Sequence, residues 1–372
     1  MGFAERREKL YEIMSSEKIS LVMFEDNEKH RDQSIRWLTG HPGDALLFMN
    51  IVDKTSVLVP WDVNMATSHA VIEKIIPYTN YSLDSVKALK GIIGYFKLPV
   101  NCRIELPLHT PYIEFLNYVE FFSDYDVLCR KEGAAREVDI LRSIKDDDEI
   151  KNYRVLSSIT NNIIDLIEEQ VGKGILKTES DVALFIESEC RKNGCEGTGF
   201  TTLAAGEKRS FGIHAFPPYT AGPFAGKGLS ILDFGVVLNG YTSDVTMTFA
   251  CGHLTKKQEL QLKLVQEAFD IAVSKMKPGT PARSVALAVE NHFKKAKLVM
   301  PHGLGHGIGL QAHEEPFVRT RSDKFVTLEP GMIFTIEPGL YDPDAGGCRY
   351  ENDVLLTETG PEMLTKSKIV RL

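Results

Sequence analysis

Five residues in the C-terminal half of this chain have the types and contexts of a two-metal hydrolytic centre. They are Asp233 in ILDFG, Asp244 in YTSDVT, His306 in HGLGHGIG, Glu337 in FTIEPGLY and Glu351 in CRYENDV. Carboxylates are hard oxygen ligands that can bridge two divalent cations, and one imidazole nitrogen can fill a remaining position. Two such ions about 3.5–4 Å apart make a bridging hydroxide at neutral pH and clamp both ends of the bond being cut.

Taken singly, several of these residues have ordinary explanations. Asp244 alone could cap a turn, and Arg349 could form a same-face salt bridge with Glu351, two residues on. Asp233 is harder to dismiss. Aspartate is depleted in strands, and this one is flanked by Ile231, Leu232 and Phe234, where a carboxylate needs a partner.

The strands that must carry the first pair are legible. Leu229 to Leu238 reads as a strand, Asn239-Gly240 as a two-residue hairpin loop, and Tyr241 to Phe249 as the alternating return strand. That loop sets Leu238 opposite Tyr241 and Asp233 opposite Thr246. Asp244 then shares the face of Asp233, with Cβ atoms about 7–8 Å apart or somewhat less. A bulge would send one of them to the other face. Two like charges on one face call for a cation between them.

His302, His306 and His313 fall within twelve positions, interleaved with Gly303, Gly305, Gly307 and Gly309, which permit close backbone approach. A regular strand would put His306 and His313 on opposite faces, so spacing alone does not bring both to a metal. Glu337 closes the strand-like run Met332 to Ile336. Turn residues Asp342 to Gly347 follow, and Arg349 to Leu356 reads as one further strand, with Arg349 and Glu351 on one face.

The ordered series LDFG, SDVT, HGLGHGIGL with HEEP, TIEPGLY and RYEND resembles the Xaa-Pro aminopeptidase, prolidase and methionine aminopeptidase family of "pita-bread" metallopeptidases. The resemblance covers nearly the whole chain, is strongest from Asp233 to Thr357, and is closest to the Xaa-Pro branch with its extra N-terminal domain. It implies that Asp233 binds one metal alone, that Asp244 and Glu351 bridge, and that His306 and Glu337 complete the other site. It further implies that His313 contacts the scissile carbonyl and that His214, in FGIHAFPPY, is a substrate-side histidine. Tyr341 and Arg349 match positions around the ligands or the substrate, and His302 matches the histidine opening the glycine-rich stretch. The chain departs from the family pattern around His214, where Phe211, Phe216 and Pro217-Pro218 appear, and at Met247, where arginine is usual. The five ligand positions are intact.

Composition is that of a globular chain, with 372 residues, 43% hydrophobic and 25% charged, a length suited to two domains. A net charge of −8 with no basic run argues against a nucleic-acid partner. No apolar stretch is long enough to span a membrane. The start, MGFAERREKLYEIM, lacks a signal-peptide core, and Arg6 breaks the myristoylation motif. Six cysteines without CxxC spacing read as free thiols, and the expected compartment is the cytoplasm.

Residues 1–134 alternate short strands (Ile19 to Phe24, Ala45 to Val52, Thr55 to Val59) with helix, including Ser68 to Ile76. In residues 135–372, the acids Asp146 to Glu149 open a helix, where its dipole favours them. Further helices begin at Thr178, at Thr255 with Gln258 as a capping box, and at Thr280 with Pro281 first. The expected fold is α+β: a pita-bread catalytic domain over 135–372, preceded by a smaller α/β domain over 1–134.

The resulting expectation is a dinuclear exopeptidase that cleaves Xaa-Pro bonds of short peptides, as aminopeptidase or dipeptidase. Glu337 would relay the proton, and His313 and His214 would hold the substrate. The metals would be manganese first, or cobalt, zinc or iron, and the resemblance implies a homodimer. Two alternatives are a creatinase-like hydrolase of a non-peptide C–N bond, which the altered His214 segment allows, and a non-enzymatic binding module on the same fold. The intact ligand set weighs against both.

Overall fold

The computed structural model describes residues 1–321 and 326–372. The chain divides into two compact units, Met1–Arg142 and Ser143–Leu372. The junction expected at residue 134 coincides with the start of a helix that runs through Ser143, and Ala134 lies within the first unit.

In the first unit, β1 (Leu21–Asp26), β2 (Ala45–Asn50), β3 (Thr55–Pro60), β4 (Lys74–Ile75), β5 (Arg103–Glu105) and β6 (Asp126–Leu128) form one sheet in the order β4-β3-β2-β1-β5-β6. The pairings among β1, β2 and β3 are antiparallel and the outer ones parallel. The helices are α1 (Phe3–Ser16), α2 (Ser34–Thr39), α3 (Val63–His69), α4 (Ser85–Phe96), α5 (Tyr112–Phe121) and α6 (Ala134–Ser143). Leu89 and Ile92 of α4 and Tyr118 of α5 pack with Leu21, Phe48 and Ile104 of the sheet into one core. The helix expected over Ser68 to Ile76 lies earlier, as α3, where Asp62 caps it by accepting from the Met65 N–H at 2.9 Å. Lys74–Ile75 instead extends the sheet beside Val57 and Leu58. A short apolar run does not separate helix from strand by its period, and here the sheet edge decided it.

In the second unit, the helices are α7 (Asp147–Gly172), α8 (Glu179–Lys192), α9 (Lys256–Lys275) and α10 (Ala282–Lys295). Their starts are chemical. Asp146 with Glu149, Thr178 with Asp181 and Thr255 with Gln258 each form a reciprocal capping box. Pro281 is the cap of α10 and not its first residue, one position from the expectation.

The strands are β7 (Gly197–Thr198), β8 (Leu203–Ala205), β9 (Gly228–Phe234), β10 (Val236–Leu238), β11 (Tyr241–Thr242), β12 (Val245–Cys251), β13 (Gly305–Gly307), β14 (Glu314–Val318), β15 (Ile333–Ile336), β16 (Gly339–Asp342), β17 (Gly346–Arg349), β18 (Asn352–Thr357), β19 (Gly360–Met363) and β20 (Ile369–Arg371). Among the described residues they form sheets ordered β11-β10-β7, β20-β12-β9-β8, β14-β13-β15-β18-β19 and β16-β17. Helices α7 and α8 pack on β9, β10 and β12 through Ile163, Ile164, Ile186, Leu232 and Phe249. Helices α9 and α10 pack on β15, β17 and β18 through Phe269, Val289, Phe293, Phe334, Cys348 and Val354. The strand expected over Arg349 to Leu356 is two strands: β17 pairs with β16, β18 pairs with β15, and Tyr350–Glu351 is the link between them. Among the described residues, no helix is long and apolar enough to cross a membrane.

Candidate active site

The hairpin register is as the Asn239-Gly240 loop requires. Leu238 faces Tyr241 and Asp233 faces Thr246, so Asp233 on β9 and Asp244, just ahead of β12, stand on the same side. A second hairpin resolves the histidine spacing. The chain leaves β13 at Gly307 and returns in β14 with a register shift, which brings the His306 and His313 rings to 4.2 Å between centroids. The glycines permit this. A Cβ on Gly305 would lie 1.9 Å from Thr335 O, and one on Gly307 would lie 2.0 Å from Glu315 O.

These hairpins and the β17–β18 link open onto one cavity of about 520 Å³. Asp233, Asp244, His306, Glu337, Glu351, His214, His302, His313 and Arg349 all line it. Of the residues singled out in the sequence, Tyr341 stands behind them and acts through hydrogen bonds. Oxygens of Asp244 and Glu351 and a nitrogen of His306 lie within 4.8 Å of one another. Glu337 Oε1 is 3.5 Å from His306 Nε2, and Asp244 Oδ2 is 3.9 Å from it.

Three observations test whether these residues suit divalent ions. First, His306 Nδ1 lies 3.1 Å from the Gly307 carbonyl, which requires the ring proton on Nδ1. Nε2 is then the ring's lone-pair nitrogen and faces the carboxyl oxygens of Glu337 and Asp244, an arrangement a cation between them would satisfy. Second, Asp233 Oδ1 is buried without a hydrogen-bond partner among the described residues, while its Oδ2 accepts from Arg349 Nη2 at 2.5 Å. Third, the carboxyls are crowded in a dry place. Burial, and then Glu351, holds Asp244 and Glu337 well above the usual carboxylate range. Burial, and then Asp233, pushes Glu351 up to about 7. Burial also lowers His306 to about 3, so its ring is neutral. The donor set fits.

Surrounding hydrogen bonds fix the orientation of these side chains. Thr246 donates its hydroxyl to Glu351 Oε2 at 2.6 Å, and Thr335 accepts the His306 N–H at 3.2 Å. Arg349, 2% exposed, donates to Thr246 Oγ1, Ile213 O, Tyr341 OH and Asp233. It therefore pairs with Asp233, and not simply with Glu351 along one strand. His302 Nδ1 lies 2.7 Å from Gly303 O and Nε2 2.9 Å from Tyr341 OH, so both ring nitrogens are engaged within the protein. Burial, and then Arg349, lowers His302 to about 4. His302 thus buttresses the wall, while His214 and His313 line the cavity and are exposed. The sequence reading noted Thr246 only for its face and missed Thr335, Phe200 and Phe317. Thr246 shares the alternation of Asp244, which could have marked it; Phe200, from a separate loop, carries no such signal.

The segment around His214 contributes Ile213, Ala215, Phe216 and Pro218 to the lining. Phe216 is 93% exposed at the rim, Phe224 is buried in the α7–α8 core, and Tyr219 packs against that core. Of Phe211, Phe216, Tyr219 and Phe224 in this segment, Phe216 is the one among the residues that line the cavity.

The family model for metallopeptidase family M24 matches residues 151–358. An uncharacterized peptidase of Staphylococcus haemolyticus is 34% identical over 330 residues, 86% of this chain and 87% of that protein. A Bacillus subtilis relative is 34% identical over 237 residues, so the alignment spans 63% of each chain. The chain belongs to metallopeptidase family M24.

Among solved structures, this metallopeptidase is similar to an X-Pro aminopeptidase from Thermotoga maritima, at 25% identity and a TM-score of 0.84, over 98% of this chain and 99% of that one. It is equally similar to an Xaa-Pro dipeptidase from Bacillus anthracis, at 25% identity and a TM-score of 0.84, over the full length of both. The second unit has the pita-bread fold, and the first is the additional α/β unit.

Proposed function

We propose that this metallopeptidase is a dinuclear exopeptidase that hydrolyses the Xaa-Pro bond of short peptides. The observation that carries the reading is His306 Nε2 set among the carboxyl groups of Asp244, Glu337 and Glu351, beside an Asp233 Oδ1 with no hydrogen-bond partner among the described residues. Asp233, Asp244 and Glu351 would hold one ion, and Asp244, Glu351, His306 and Glu337 the other. Bound there, two divalent cations supply an activated water at neutral pH and polarise the scissile carbonyl.

The chain's own residues do the rest. Glu337, as carboxylate, takes a proton from the attacking water and passes it to the leaving nitrogen. His313, at the open side, donates to the carbonyl oxygen as charge develops there. His214 holds the substrate from the opposite loop. Phe200, Ile213, Phe216, Pro218 and Phe317 form an apolar side suited to a proline ring. An Xaa-Pro bond has no N–H, so apolar contact is the means left for recognising it. The solved relatives, an X-Pro aminopeptidase and an Xaa-Pro dipeptidase, support the same substrate class.

Manganese as the preferred ion, a homodimer and a cytoplasmic location belong to this reading. The oxygen-rich donor set supports the first, and six free cysteines support a reducing compartment. The test is hydrolysis of an Ala-Pro dipeptide and an Ala-Pro-Ala tripeptide by metal-stripped enzyme with manganese, cobalt or zinc restored. Metal-dependent release of the N-terminal residue is expected. Turnover insensitive to chelation, or no cleavage with any of the ions, would overturn the reading.

A further inference from the structure

The long hairpin stops being regular strand at Gly235 and at Ser243–Asp244, although pairing keeps the same register on either side. Gly235 admits the break, since a Cβ there would lie 1.9 Å from Ser243 O. Ser243 is fully buried, and its hydroxyl accepts from the Val236 N–H at 3.1 Å and from Thr160 Oγ1 of α7 at 2.8 Å. The Asp244 N–H turns to Asp353, whose Oδ2 accepts it at 3.2 Å.

Asp353 is fully buried on β18. Its own N–H donates to Thr365 Oγ1 at 2.7 Å, and its carbonyl accepts from Leu364 at 3.0 Å. Among the described residues its Oδ1 has no hydrogen-bond partner. A buried carboxyl satisfied at only one oxygen is costly, so packing alone does not account for it.

We propose that Asp353 is a positioning residue for the metal centre. It grips the Asp244 backbone at the strand break and so sets the direction from which the Asp244 oxygens meet His306 and Glu351. The proposal rests on the reading of those three residues as ligands. Ligand-orienting groups of this kind change metal affinity or activity by about 10–100-fold when removed.

The test compares Asp353→Asn, which keeps an oxygen acceptor, with Asp353→Ala, which removes it. Each full-length protein is stripped of metal and titrated with Co2+ by calorimetry, and the visible spectrum of the bound cobalt is recorded. Asp353→Ala should bind Co2+ about 10–100-fold more weakly with an altered spectrum. Asp353→Asn should stay within about threefold of the native affinity, with the native spectrum, because the hydrogen bond survives. A folded Asp353→Ala protein with native affinity and spectrum would overturn the proposal and leave the metal centre standing. If Asp353→Ala does not fold, Asp353→Asn decides, and a loss of about tenfold or more overturns the role. Failure of the native protein to bind Co2+ overturns the proposal together with the metal reading beneath it.

Discussion

Arg349 and Asp233, 116 residues apart, are paired in the candidate site through Nη2 and Oδ2, and this pair divides the work of the Asp233 carboxylate. One oxygen is held by the guanidinium, and the other has no hydrogen-bond partner among the described residues. Arg349 also reaches Thr246, which in turn holds Glu351. A single buried cation therefore orients two of the proposed ligands.

Replacing Arg349 by methionine should leave Asp233 without its cation. The metal-free variant should lose about 3–5 kcal/mol of stability, as expected for a broken buried pair. Added manganese should then raise its melting temperature more than it raises that of the native protein. Thermal melts with and without metal check this, and a native-like melt of the metal-free variant would count against the pairing as a structural element.

Asp244→Ala and Glu351→Ala should each abolish turnover and lower bound metal, because each carboxylate is assigned to both ions. Elemental analysis beside an Ala-Pro assay reads both effects. Normal metal content with normal turnover in either variant would end the dinuclear reading.

His313→Ala should keep its metal and lose about 10²–10³-fold in kcat, the usual loss on removing one donor to a developing oxyanion. His306→Ala should lose metal. If the two variants lost metal equally, the roles given to these neighbouring rings would be wrong.

Metal affinity should rise with pH through about 7, where Glu351 gives up its proton, and Asp244 and Glu337, also raised by burial, act in the same direction. His306, neutral down to about 3, adds nothing in that window. The sign for the metal-free protein is the opposite. A carboxyl raised from 4.5 contributes stability that is full at low pH and is lost as pH rises through about 7. Calorimetric Co2+ titrations between about pH 5.5 and 8, in buffers of different ionisation enthalpy, should show proton release. Affinity independent of pH would refute this assignment.

Phe216→Ala should alter the ranking of Leu-Pro, Phe-Pro and Ala-Pro substrates by about tenfold while metal content stays native. Its ring is at the rim, so the effect should fall on bulky N-terminal residues first. Unchanged relative rates would show that the rim does not touch substrate.

Local chemistry was enough to read much of this protein from its residues. Asn239-Gly240 dictates a hairpin, and its length alone sets Asp233 opposite Thr246. Reciprocal caps mark the starts of α7, α8 and α9, and the order of the five ligand segments identifies the family. What depends on chain reversal and long-range pairing was not legible. A seven-residue spacing does not show that a register shift brings His313 back over His306. The run from Arg349 to Leu356 reads as one strand, yet two different partners split it and turn Arg349 toward Asp233. The Ala205 to Phe224 segment reads as rigid and apolar for a loop, yet only tertiary packing sends Phe224 inward and leaves Phe216 at the rim. Periodicity and turn chemistry act over a few residues, whereas burial and the partner of each buried polar group are properties of segments brought together from far along the chain.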